Sequence, residues 1–217
     1  MDAFACPPDC GWCCTHLHRE VPLAEARATR EFRAVLRGEG VYHCGDAVTT
    51  GLSLSNAEAA LLRADPRGAK IHPRTFLLES RRRVAVVLDW HLPHAVCPFY
   101  SDHKCTVYEH RPLPCRAYPV MRSSPLKLAP ECKKGGLGGL PPRVRPQHPA
   151  PPLSSFRPEL RARSAIERAH AALDEDAMRV LAVGRFARGL STADARERLK
   201  RYRVKSPQEF LAHARPA

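Results

Sequence analysis

Long apolar runs, internal repeats and a leader-like opening are all missing from this 217-residue chain. No stretch approaches the ~18 apolar residues that a membrane-spanning helix needs, which excludes a helical membrane protein. The opening segment, MDAFACPPDC, has no basic region followed by an apolar one, so it does not read as a signal peptide. The expected compartment is the reducing cytoplasm. Aromatic residues are scarce at 6%, against 44% hydrophobic residues overall, as in an alanine- and arginine-rich globular chain. No glycine-rich nucleotide loop follows a strand pattern, and no nucleic-acid-binding motif accompanies the charge.

Cysteine, by contrast, is abundant. There are nine, an odd number, so complete internal pairing is impossible. A chain this long can bury a core without cross-links, and disulfides rarely persist in a reducing compartment. The cysteines fall into two sets, Cys6, Cys10, Cys13 and Cys14, then Cys97, Cys105, Cys115 and Cys132, with Cys44 apart. A spacing such as Cys10-x2-Cys13 lets a short loop turn two sulfurs toward one ion. Adjacent Cys13 and Cys14 diverge, so one of them serves a second centre or is a buried free thiol. Four thiolates on one zinc, or on a four-iron cluster, leave a net negative charge, which Arg111, Arg116 and Lys104 are placed to offset. Thiolate-only ligation suits zinc and iron–sulfur chemistry alike.

The segments CGWCC (10–14) and CPFYSDHKCTVYEHRPLPCRAYP (97–119) resemble the two signatures of the YkgJ-type cysteine cluster proteins. These are the CxxCxxCC, or zinc- or iron-chelating, domain proteins, and a flagellin lysine N-methylase is among their relatives. In the second signature Cys97, Pro98, Phe99, Cys105, Val107, Tyr108, Glu109, Arg111, Pro112, Cys115, Arg116, Tyr118 and Pro119 all match. The first departs from its pattern, because three residues rather than two separate Cys6 from Cys10. The resemblance spans about residues 4–132. It implies chelation of zinc or iron, with a [4Fe-4S] cluster among the centres it allows. The eight cysteines of the two sets are the expected ligands.

Other residues read more plainly. Tyr108, Glu109, Arg111 and Arg116 suit a scaffold, His16, His18, His91 and His94 solvated loops, and Cys44 a small core residue. A papain-like cysteine nucleophile lacks any signature.

The expected fold is α+β, a small irregular metal-stabilised domain over 1–134 with a hairpin and short helices. A Gly/Pro linker (135–153) and a basic helical tail (154–217) follow. Helices are expected over about 22–37, from a Ser55–Glu58 capping box to about 63, and from Pro158 to about 170–173, continuing or restarting over 174–189. Ser191 and Ser206 cap two more. Valine-rich alternation predicts strands over about 74–79 and 83–89.

The net charge of +13 is uneven, with 16 Lys/Arg against 8 Asp/Glu in residues 141–217. A solvated arginine-rich surface is the first reading of that tail, and phosphate binding is the alternative. Metal binding in a structural or electron-transfer role leads the functional readings. A metal-dependent enzyme that modifies a protein side chain, like the N-methylase, is second. The expected partners are a metal ion and a protein substrate or redox partner, with no membrane.

Overall fold

The computed structural model describes residues 11–15, 19–20, 23–45, 49–93, 96–118, 120–121, 127–128 and 156–213. Helices and antiparallel sheet occur together, as an α+β fold requires. The chain divides into two compact units, Met1–Leu17 with Ala95–Arg168 and His18–His94 with Ala169–Ala217.

The second unit is built on the hairpin His72–Glu79 and Val84–Leu92. Its inner strand is buried at nearly every position, because the sheet is covered on both faces. Its valines and leucines therefore run together as well as alternating. At the turn the Glu79 carboxylate accepts from the backbone N–H groups of Arg81 (3.2 Å) and Arg82 (2.7 Å). Arg83 closes the turn at a φ of 51°. Val41–His43 pairs with the outer edge of His72–Glu79. Along its other edge, Val84–Leu92 carries Leu52–Leu54 antiparallel at its end and Arg203–Lys205 parallel at its start.

Arg203–Lys205 pairs in parallel with Val84–Leu92, so the C-terminal helical region also supplies a strand to this sheet. Residues 169–217 help build the unit that contains 18–94. Val180 and Phe210 pack with Val41, Leu77, Val84, Val86 and Leu88 in one core cluster. Each of these is nearly or fully removed from water, which stabilises the fold by about 1.5–3 kcal/mol per large side chain. Tyr42 adds a clasp by donating its hydroxyl to the Ala187 carbonyl at 3.0 Å.

The caps form as their sequences require. Ser55 and Glu58 make both bonds of a capping box on Asn56–Arg63, and Ser206 and Glu209 do the same on Pro207–Leu211. Ser191 caps Thr192–Leu199, and the first long helix is Leu23–Gly38. The helix expected from Pro158 continues rather than restarts beyond 173, running unbroken over Arg157–Val183. Nothing in that segment is a proline or glycine after Pro158, so no residue is there to stop it. It contributes Ala162 and Ile166 to a cluster with Ala117 in the first unit, and Val180 to the core of the second. The linker expected at 135–153 lies outside the described residues.

The register of the hairpin slips on both sides of Thr75. Such bulges re-aim side chains, and here a polar row crosses the sheet. His43 Nδ1 meets Thr75 Oγ1 at 3.0 Å, and Thr75 lies opposite Asp89. Arg74 donates through Nε to Asp89 Oδ2 at 2.7 Å and through its terminal nitrogen to Ser53 at 2.6 Å. Asn56 donates to the Val87 and Leu88 carbonyls (3.1 and 3.3 Å) and accepts from the Trp90 indole (2.8 Å), so the irregular backbone is not left unpaired.

Burial, with the charges of Arg33 and Arg74, pushes the His43 pKa down to about 4. The folded protein keeps this imidazole neutral, whereas the unfolded chain protonates it below about 6.5. Stability should therefore be full above pH 6.5 and fall by about 2–3 kcal/mol between pH 6.5 and 4. Denaturant titrations of the protein and of His43→Asn across that window check this. The variant should lose that part of the acid sensitivity, and parallel curves would contradict the assignment.

Candidate metal centre

In the first unit, short elements place each described thiol. Cys13 and Cys14 lie on a single helical turn, Trp12–Thr15. The Gly11 carbonyl anchors that turn by accepting from the Cys14 and Thr15 N–H groups, both at 2.9 Å. The glycine is required here, because a Cβ at position 11 would stand 2.0 Å from the Tyr100 hydroxyl oxygen. The CGWCC and CPFYS segments are thus fitted to each other by the absence of one side chain. A backbone bond joins them as well, from the Cys97 N–H to the Cys14 carbonyl at 2.6 Å.

Cys105 ends a two-residue ladder, Tyr100–Ser101 with Lys104–Cys105. Asp102 and His103 turn it with φ of 48° and 60°, as a two-residue hairpin of this twist demands. Thr106 bonds back to the Phe99 carbonyl through its N–H and its hydroxyl, both at 2.9 Å. Cys115 lies in Leu113–Ala117, a short helix entered through Pro112 with Pro114 in its first turn. Arg111 stacks its guanidinium 3.7 Å from the Tyr108 ring centroid, which gives both residues a scaffold role.

The electrostatics show that these thiols sense one another. Cys14 donates to Cys13, and that bond, helped by the Arg111 charge, lowers Cys13 to a pKa of about 7. The same bond raises Cys14, as do burial and the negative charge of Cys13, Cys97 and Cys105. Burial raises Cys97 and Cys115 first, and the neighbouring thiolates raise them further. Arg111 is the cation that opposes this rise at Cys115, a part the sequence also offered to Arg116 and Lys104. Both of those are exposed.

Of the eight expected ligands, Cys14, Cys97 and Cys115 thus each feel the charge of Cys13 and Cys105 despite their separation in sequence. None of them is in a disulfide. Cys6, Cys10 and Cys132 lie outside the described residues, as do His16, His18 and His94. Among the described residues no three His, Cys, Asp or Glu side chains are grouped closely enough to hold a metal ion as they stand.

Compared with known families, residues 5–133 match the CxxCxxCC family, described as a "Putative zinc- or iron-chelating domain". The chain belongs to the CxxCxxCC family. No curated protein and no solved structure matches it. The CxxCxxCC match covers both cysteine sets and stops before the long helix.

Cys44 belongs to the other unit and has a different setting. It is half-buried after Val41–His43, and burial raises its thiol while Arg196 and Arg33 oppose the rise. Its backbone is held at both ends, the N–H on the Arg74 carbonyl at 2.7 Å and the carbonyl on Arg196 at 2.8 Å. The sequence pattern reads as a small core residue and gives no sign of these arginines. Arg196 lies 152 positions away, and nothing local announces such a pairing. His91 sits on the strand Val84–Leu92 rather than in a loop.

In metal-free protein, Cys13 should alkylate with a rate that rises through about pH 7, since the thiolate is the nucleophile. Replacing its donor by Cys14→Ala should move that midpoint upward. Mass-mapped iodoacetamide kinetics check this, and a midpoint near the ordinary thiol value of about 8.5 in the unmodified chain would contradict the assignment.

Proposed function

We propose that this chain binds a metal ion, zinc or iron, through the two cysteine sets, and that the bound centre has a structural or electron-transfer role. The observation that carries the reading is the mutual action of five thiols in one unit. The bond to Cys13 and burial raise Cys14, burial raises Cys97 and Cys115, and the charge of neighbouring thiols adds to each rise. Buried, neighbouring thiols ionise more readily when a cation joins them.

The donor chemistry fits a thiophilic ion. Sulfur ligands favour zinc and iron–sulfur centres over magnesium or calcium. Cys13 is partly thiolate at neutral pH, so it is the natural first ligand. Cys14, Cys97, Cys105 and Cys115, with Cys6, Cys10 and Cys132, would supply the other sulfurs. When bound, the ion supplies cross-linking charge, or redox capacity if it is iron. The protein's part is to hold the sulfurs on short, proline-bounded turns. Arg111 offsets negative charge, and Gly11 lets Tyr100 pack against the first cysteine turn.

Protein purified without oxygen should carry zinc or iron, as elemental analysis and visible absorption will read. Cys115→Ser should lower that metal content several-fold and reduce thermal stability, because oxygen is a poor substitute in a thiolate set. Cys44→Ser should retain the metal and cost only about 1–2 kcal/mol. Full metal content in Cys115→Ser would remove that residue from the ligand set. Equal loss in both variants would add Cys44 to it.

A further inference from the structure

The sheet unit gathers arginines from three separate parts of the chain at the tip of its hairpin. Arg81, Arg82 and Arg83 form the turn itself. On one side, the parallel strand begins at Arg203, whose N–H bonds to the Arg83 carbonyl at 2.9 Å. Because that strand runs with Val84–Leu92, the residues before it, Lys200 and Arg201, extend past the strand toward the turn. On the other side, Phe186 bridges Glu79, which brings Arg185 to the same end. All these cationic side chains are exposed.

The local acids do not neutralise them. Glu79 is 5% exposed, and its carboxylate is taken up by the turn's own N–H groups. Those bonds fix the turn while leaving the three guanidinium groups to solvent. Glu197 is bound to Lys200 at 2.5 Å. Among the described residues, no carboxylate lies within ion-pair distance of Arg81, Arg82, Arg83, Arg185, Arg201 or Arg203.

Cations on a free strand edge discourage edge-to-edge pairing. That explains Arg203 and Lys205, but not the three arginines of the turn or Arg185. Crowding six like charges raises the free energy of the folded state unless a polyanion meets them. Guanidinium groups are suited to phosphate through their forked donors. The patch offers no exposed aromatic ring, since Tyr202 is half-buried, and so no platform for stacking unpaired bases.

We propose that this arginine-rich hairpin tip binds the phosphate backbone of duplex nucleic acid without regard to sequence. It belongs to the unit that does not carry the two cysteine sets, so the test below does not depend on the identity of the metal. Each phosphate neutralised on a duplex contributes about −0.9 to the slope of log K against log salt. Six contacts would therefore give a slope near −5, about a thousandfold loss of affinity over a fourfold rise in salt.

The experiment uses the full chain, with its metal as purified, titrated into a short duplex DNA of arbitrary sequence at several salt concentrations. Arg81→Gln/Arg82→Gln/Arg83→Gln should make the slope shallower by about 3. Arg201→Gln/Arg203→Gln should make it shallower by about 2. The control Arg27→Gln/Arg30→Gln/Lys70→Gln removes the same charge as the triple variant from other exposed positions and should leave the slope within one unit of the parent. Circular dichroism establishes that each variant is folded. Absence of DNA binding, or equal loss in the control and tip variants, overturns the proposal. So does binding to phosphatidylserine vesicles, but not to DNA, that depends on the tip arginines.

Discussion

Packed thiols resist ionising together, and the cysteine-bearing unit is organised around that constraint. Cys13, Cys14, Cys97, Cys105 and Cys115 come from four short segments, the first far from the other three in sequence. What joins them is a set of small local fits: the Cys97 N–H on the Cys14 carbonyl, the Tyr100 ring in the space left by Gly11, and Arg111 opposing the accumulated negative charge. A bound cation would turn the mutual repulsion into shared attraction. The CxxCxxCC signature is, in these terms, a description of how little side-chain bulk and how much donor sulfur such turns require.

The sheet unit depends on different physics. Its core is ordinary apolar packing around Leu77, Val86 and Val180, and its distinctive feature is the polar row across the bulged strands. The Arg74–Asp89 pair is largely buried, with side chains 23% and 10% exposed. Such a pair adds little net stability, yet removing one partner costs several kcal/mol because the other is left uncompensated. Its contribution is therefore to hold the register that the bulges would otherwise leave loose.

Much of the local structure was legible from residues close in sequence. Ser55–Glu58 and Ser206–Glu209 spell capping boxes, and both form. The valines of 84–87 announce a strand, and the cysteine spacing announces chelation and the family. The hairpin proved longer than expected, because His72, Trp90 and His91 pair across it without forming an apolar alternation. The Asp102–His103 turn was hidden too, since neither residue is the glycine that such turns usually advertise. Long-range pairings were the least legible. Nothing near Val204 indicates that it lies beside Ala85, and a helix-rich segment with one three-residue strand between its last two helices reads as an appendage. Pairings across more than 100 residues are fixed by the packing of both partners, which local propensity does not encode.

The claim on which the metal-binding account stands is that sulfur atoms, and not imidazoles or carboxylates, surround the ion. X-ray absorption at the zinc or iron edge of the purified full-length protein measures this directly. The account predicts a first shell fitted by sulfur alone, at about 2.3 Å for zinc. A shell dominated by nitrogen or oxygen near 2.0–2.1 Å would contradict it.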